Sequence, residues 1–512
     1  MLRLERRVAD TVNLKKQTKT PLFDALQKYV EDGTVSFHVP GHKGGRGIPE
    51  LVEYIGSKAL SIDVNGMEDL DNICNPISVI KESQELAAEA FKADYAHFLV
   101  NGTTSGVQAM IMSVCSPGDK VIVPRNAHKS VIGGLILSGA YPVYVKPEIN
   151  DELGIAMGIT PKTVREALCM HPDAKAIFVI NPTYYGTTSN LKEIVKIAHK
   201  HGVPVLVDEA HGAHFSFHPR LPVSAMEAGA DMSAVSMHKL GGSMTQSALL
   251  LVKNGMINNK KVKSIMNLTQ TTSASYLLMV SLELARKQMV LAGRQLLDST
   301  IQLAEKARKH INNMPGLYCP GKDLEGQPGC FAYDVTKLVI NVKKLGISGY
   351  QVEKILRRDY RIQIELSDLG NILALVTIGD NEETVSRLVK ALDEIASTYR
   401  NKKPVRYNVE LPSQPEGVVS PREAFYGEKK TLFLDDAEGE ISAEMIMAYP
   451  PGIPIICPGE RITKEVIDYV KLLKTEFCLL QGPQDPGINY IRVMKHTHSL
   501  AEVAEFRKQS HK

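Results

Sequence analysis

Between residues 80 and 310, short apolar runs alternate with amphipathic stretches, and this alternation leaves the chain few architectures to choose from. The runs "AHFLV", "KVIVP", "PVYV", "AIFVI", "VPVLVD" and "SAVSM" have the length of strands and lack polar alternation, as strands buried on both faces do. Between them, "TSGVQAMIMSVC", "PKTVREALCMH" and "NLKEIVKIAHKHG" carry apolar residues at helical spacing. The repetition implies right-handed crossovers and a mainly parallel sheet with helices on both faces. Open parallel sheets bind ligands beyond the carboxyl ends of their strands, so the residues just after the apolar runs are the first to examine for chemistry.

The rest of the chain divides around this block. Residues 1–20 lack the apolar core of a signal peptide and read as a solvated tail. Residues 21–80 form an N-terminal segment, with a short helix at "TPLFDALQKYV" and a glycine-rich loop at "VSFHVPGHKGGRG". The large domain spans 81–314 and ends in a long helical stretch. "KLVINVKK", "SGYQVEKILRRDY", "IQIEL" and "ILALVTIG" then suggest a small α+β domain over 315–400. A linker rich in Pro and polar residues to about 425 and a small C-terminal subdomain complete 401–512. Lys plus Arg (60) nearly balances Asp plus Glu (57), which argues against nucleic acid or an anionic membrane surface as a partner. No apolar run approaches the roughly 20 residues that span a bilayer. The seven cysteines show neither metal-site nor disulfide-framework spacing, so no metal and a cytoplasmic location are expected.

The chain has three His-Lys pairs, at 42–43, 128–129 and 238–239. "FLVNGTTSG" ends a strand and opens a helix with Gly102, Thr103, Thr104 and Ser105, where free N–H groups suit a phosphate. "VPVLVDEAHGAH" ends its strand in Asp208, Glu209 and His211, and "ADMSAVSMHK" ends the next in Ser236, His238 and Lys239. Each feature alone is equally an ordinary turn, helix cap or polar strand end. Only Lys239 follows both a strand-end acid and a phosphate loop. That combination matches what pyridoxal 5'-phosphate needs: an amine for its aldehyde, a carboxylate for its ring nitrogen and a cradle for its phosphate.

With "FHVPGHKGG", "NGTTSG", "PRNAHKS", "INPTYYG", "VDEAHGAH", "SMHKLGGSMTQ", "TTSASY", "IELSDLGNILALVTIGD" and "AYPPGIPIICPGERI", the sequence resembles the Orn/Lys/Arg decarboxylases of fold type I from about residue 21 to beyond 460, in a short form similar to the bacterial biosynthetic arginine enzymes. The resemblance implies an α/β pyridoxal-phosphate-binding large domain with a mainly parallel sheet, an α+β C-terminal domain and a small C-terminal subdomain. It makes Lys239 the Schiff-base lysine and Asp208 the pyridinium partner. His128 is placed on one ring face as a catalytic group, with Ala210 and His211 on the other. Thr103, Thr104, Ser105, Ser236 and His238 become phosphate ligands, completed by Thr272 of a partner subunit in a homodimer or a dimer of dimers. The implied reaction turns L-arginine into agmatine and carbon dioxide in polyamine biosynthesis, although ornithine and lysine enzymes share these motifs. The substrate's distal cation needs an acid, for which Glu460, Asp69 and Glu444 are candidates. Two departures lie near the expected substrate entrance: Ala274, where such families often carry proline, and "ICNPISVIKES", where they often carry glycine. An aminotransferase or β-carbon lyase of the same fold stays open, whereas a nucleotide-binding module is disfavoured by the absence of GK[ST] and G-x-G-x-x-G fingerprints.

Overall fold

A computed structural model describes residues 12–399, 403, 412–448, 452–476 and 478–495. Seven strands form the central sheet: β1 (Tyr95–Leu99), β2 (Lys120–Pro124), β3 (Tyr141–Val145), β4 (Ala176–Ile180), β5 (Val205–Asp208), β6 (Met232–Val235) and β7 (Ala248–Val252). Their order is β1-β7-β6-β5-β4-β2-β3. β3, β2, β4, β5 and β6 pair in parallel, while β7 runs antiparallel to both β6 and β1. The apolar pattern anticipates six of these strands and omits β7, "ALLLV". Its direction follows from its connection: after β6 the chain makes one helical turn, Met237–Leu240, and doubles back beside β6 rather than crossing a face of the sheet.

Alternate residues of the strands feed two apolar layers. Phe98, Ile122, Val179, Val207 and Leu249 enter one, and Leu99, Val123, Phe178, Leu206 and Leu250 the other. Covering helices include α1 (Pro21–Glu31), α2 (Val79–Ala90), α3 (Gly102–Val114), α4 (Lys129–Ser138) and α5 (Tyr276–Asn312). α5 has 37 residues. Met279 and Leu282 near its start lie in the first layer, whereas Ala304, Ala307 and Ile311 near its end belong to the core of the next domain. That domain is a three-stranded antiparallel sheet of β8 (Lys337–Asn341), β9 (Leu366–Ser367) and β10 (Asn371–Leu375) in the order β8-β10-β9. The helices Gly349–Asp359 and Glu382–Tyr399 pack on it.

Two expectations need correction. Residues 1–11 lie outside the described residues, but 12–20 are not a solvated tail. Leu14–Gln17 is a helical turn whose buried Gln17 donates from Nε2 to the Leu86 carbonyl of α2, and Arg286 of α5 donates to the carbonyls of Gln17 and Lys19. The buried guanidinium needs acceptors, and this stretch supplies them. The expected linker also ends early: within 412–425, Ser420 and Glu423 form a reciprocal cap on a helix at Pro421–Tyr426. Its Arg422 donates to the carbonyls of Ile136 and Leu137 in α4. The C-terminal subdomain beyond has its own core around Ile446, Ile456, Ile467 and Ile491.

Candidate active site

The ends of β4, β5 and β6 and the starts of α3 and α4 converge on an open cleft of about 630 Å³, lined by Thr103, Asn126, His128, Asp208, His211 and Lys239 among others. β6 stops at Val235, and the single turn from Met237 places Lys239 over the sheet end. Its Nζ is 2.9 Å from Nε2 of His211 and 5.3 Å from the centre of the Tyr184 ring. Burial lowers the Lys239 pKa, with Asp208 and Glu365 opposing the shift, so the nucleophilic free amine is favoured relative to an exposed lysine. Asp208 ends β5 and accepts a hydrogen bond from Ala210 N–H at 3.1 Å. Burial raises its pKa against the pull of the Lys239 cation. Both groups are thus short of solvation, the condition under which an incoming partner of opposite charge is held strongly.

At the start of α3, Gly102 has φ +66°, a conformation that glycine adopts without strain. Its N–H donates to the Gln246 carbonyl, while those of Thr103 and Thr104, in the first turn, have no i−4 acceptor within the helix. Thr103 Oγ1 lies 2.9 Å from Ser236 Oγ, tying this turn to the end of β6. Ser105 and His238 answer less well to the expected phosphate roles. The Ser105 hydroxyl donates to the Gly102 carbonyl, and His238 Nδ1 donates to the Ser247 carbonyl at 2.9 Å. A neutral His238 then offers an acceptor at Nε2, so it would have to be protonated to donate to a phosphate.

His128 caps α4, and its Nδ1 accepts from Ser130 N–H, which leaves the neutral ring's proton on Nε2. Burial and the cations of Lys239 and Lys129 push its pKa down to about 4. His211 sits across the cleft beside Ala210, tilted against Tyr184 with ring centres 4.3 Å apart. Its Nδ1 is 3.1 Å from Nζ of Lys337, a lysine at the start of β8 with no exposed surface. Burial lowers the Lys337 pKa to about 8. Thr272 is exposed in the loop before α5 and does not line the cleft of its own chain.

The three carboxylates expected to bind a distal cation do not line this cleft either. Glu460 is buried and accepts from Arg125 Nη2 at 2.9 Å and Cys457 N–H at 2.7 Å. Glu444 accepts from Arg492 Nε at 2.6 Å and from the N–H groups of Gln484 and Arg492. Asp69 is exposed on the short turn Glu68–Leu70. The first two already have internal partners, which sequence spacing does not reveal. Conversely, Lys337, Asn126 and Ile453 escape the sequence reading of the site. The available signal for Lys337 was a lysine directly before the apolar triplet "LVI" of a strand, a costly place for an unpartnered charge.

The arrangement can engage a carbonyl covalently at Lys239, pair a protonated heterocycle at Asp208 and hold an anion at the start of α3. Among the described residues, no group of three or more His, Cys, Asp or Glu could hold a metal ion, and no helix is long and apolar enough to cross a membrane.

Comparison with known proteins agrees with this architecture. Residues 20–384 match the family description "Orn/Lys/Arg decarboxylase, major domain" and residues 407–482 match "Orn/Lys/Arg decarboxylase, C-terminal domain". The chain is 49% identical to an arginine decarboxylase of Bacillus anthracis, over 94% of this chain and 98% of the relative. It is 47% identical to an arginine decarboxylase of Bacillus subtilis, over 94% and 99%. The crystal structure of a Francisella novicida lysine decarboxylase superposes with a TM-score of 0.80 at 23% identity, covering 94% of this chain and 82% of that one.

Proposed function

From the premise that the chain belongs to the Orn/Lys/Arg decarboxylase family, we propose that it converts L-arginine to agmatine and carbon dioxide, as a step of polyamine synthesis, with pyridoxal phosphate bound at Lys239. One observation carries the reading: the Lys239–Asp208 cleft lies in a chain almost half identical, nearly end to end, to arginine decarboxylases. The groups around the cleft fit the cofactor. Lys239 would hold it covalently, Asp208 would keep its ring nitrogen protonated, and the first turn of α3 with Thr103, Thr104 and Ser236 would take the phosphate. His128 and Ala210 would face its ring, with His211 beside them.

When bound, the cofactor supplies a sink for the electron pair that departing carbon dioxide leaves at Cα. The chain's own residues supply the rest. A charged substrate carboxylate in a desolvated cleft leaves readily as neutral carbon dioxide. His128 as imidazolium or Lys239 as ammonium, both lining the cleft, would return a proton to Cα and be left neutral. Tyr184 and Ile453 line the cleft beside them.

A second copy of the chain completes the site in this reading. The residues between 35 and 77 expose large apolar side chains in Val35, Phe37, Val39, Tyr54 and Ile77, Phe37 at 94%, and solvent is a poor environment for them. Thr272 is exposed and free to reach a partner's phosphate site. Of the three candidate acids, Asp69 is the exposed one, and it belongs to the same N-terminal segment. The seven unpaired cysteines suit the cytoplasm. Carbon dioxide release and kcat/KM for arginine, ornithine and lysine in parallel test the substrate. Arginine should lead by about 30-fold or more, the cost of mispairing a buried charged group; a lead for lysine or ornithine would contradict the reading.

A further inference from the structure

Three titratable nitrogen groups form one hydrogen-bonded chain beneath the cleft. Lys337 Nζ lies 3.1 Å from His211 Nδ1, and His211 Nε2 lies 2.9 Å from Lys239 Nζ. A neutral imidazole has one N–H and one lone pair, so it can accept from one lysine only while donating to the other. Two ammonium groups cannot both donate to it, and the chain therefore holds one lysine as a cation and the other as an amine. We propose that Lys337 is a positioning residue for the reactive amine: through His211 it shares a single proton with Lys239, so that Lys239 stands as a free amine whenever Lys337 holds the ammonium. The inference rests on the reading of Lys239 as the cofactor-binding amine.

The transfer conserves charge. The Lys239 ammonium gives a proton to His211 Nε2, breaking an N–H bond at the lysine and forming one on the ring. His211 Nδ1 gives its proton to Lys337 Nζ, and the imidazole ends neutral in the opposite tautomer. Each lysine faces one carboxylate of its own. Asp334, fully buried and three residues before Lys337, faces that lysine and is itself held by hydrogen bonds from Thr336 N–H and Oγ1, with His214 Nε2 3.3 Å away. Glu365, ahead of β9, faces both lysines, and Asp208 faces Lys239. His128 and His214 also face His211, and burial with the cations of both lysines disfavours the doubly protonated ring. Burial lowers the pKa of each lysine, that of Lys337 to about 8.

The test follows attachment of pyridoxal phosphate to the full-length chain after its cofactor has been stripped, as a function of pH, by absorbance and by borohydride trapping. Attachment speeds up as Lys239 loses its proton. Lys337→Met should move the profile to higher pH and slow attachment about ten-fold at pH 7, the equivalent of one pH unit. His211→Gln, which bridges the lysines but passes no proton, should give the same displacement, and the double variant should show no further change. A folded Lys337→Met with the wild-type profile would overturn the proposal. So would an unshifted His211→Gln or additive shifts, because Lys337 would then act through its field alone. If methionine does not fold in the buried position, Lys337→Gln is judged by the same criteria. Trapping in the unsubstituted chain separates the two claims: an adduct away from Lys239 defeats the cofactor reading, whereas an adduct at Lys239 with unshifted variant profiles defeats only the shared proton.

Discussion

Asp208 and Glu460 are both buried carboxylates whose pKa burial raises, yet they sit in regions of opposite character. Glu460 lies at the joint between the C-terminal subdomain and the large domain. There Arg125 pairs with it, donates to the carbonyls of Pro454 and Ile455, and lies 5.4 Å from the centre of the Tyr144 ring. The charges at this joint have their partners inside the protein. Asp208, Lys239, His128 and His211 instead surround an open cleft, and each has lost solvation without a matching internal countercharge in contact. The difference teaches that a buried charge marks chemistry when it faces a cavity with its pairing incomplete; when it is already paired across a domain joint, it marks architecture.

Breaking the cleft should have the largest effect. Asp208→Asn should keep the fold and lower kcat on the order of 1000-fold, because a neutral amide does not hold a protonated ring nitrogen. Near-normal turnover would erase the distinction between the two carboxylates. Breaking the joint should act on stability instead. Arg125→Met strands the Glu460 charge and should cost about 3–5 kcal/mol in denaturant unfolding, with kcat of the folded protein within about ten-fold of normal. Lost turnover at unchanged stability would make the joint part of the active site.

The smallest effect concerns pH. His128 has a pKa of about 4 in the folded chain, below the ordinary histidine value of 6.5. Between those values the unfolded chain binds more protons at this position, so stability rises with pH and falls on acidification through the same window. For the cofactor-free protein the His128 contribution should reach at most about 3 kcal/mol. His128→Gln should flatten the pH dependence of unfolding over that range. An unchanged slope would mean that the ring is solvated, as no group aimed at a desolvated cleft should be.

The sheet was legible because six of its strands are largely apolar runs, and the cleft because Lys239, Asp208 and the Gly102–Ser105 turn each lie at or just beyond a strand end. β7 was missed although "ALLLV" is as apolar as the others, since it follows the Met237–Leu240 turn without a long intervening helix and breaks the βα rhythm. Glu460 and Glu444 were misread because their partners, Arg125 and Arg492, are 335 and 48 residues away in sequence. Lys337 reaches the site from a second domain, across 126 residues to His211; its place at the head of an apolar strand signals the need for a partner but does not say which. Local periodicity therefore reveals the scaffold and the residues hung directly on it. The partners that neutralise or tune a charge belong to the tertiary fold.

The account depends above all on Lys239 being the lysine that carries the cofactor. Borohydride reduction of the holoenzyme followed by peptide mapping tests this directly. The reduced pyridoxyl group should appear on the peptide containing "SMHKLGG", at Lys239, in close to one copy per chain. An adduct at Lys43, Lys129 or Lys337, or none in a protein that releases carbon dioxide from arginine, would contradict it.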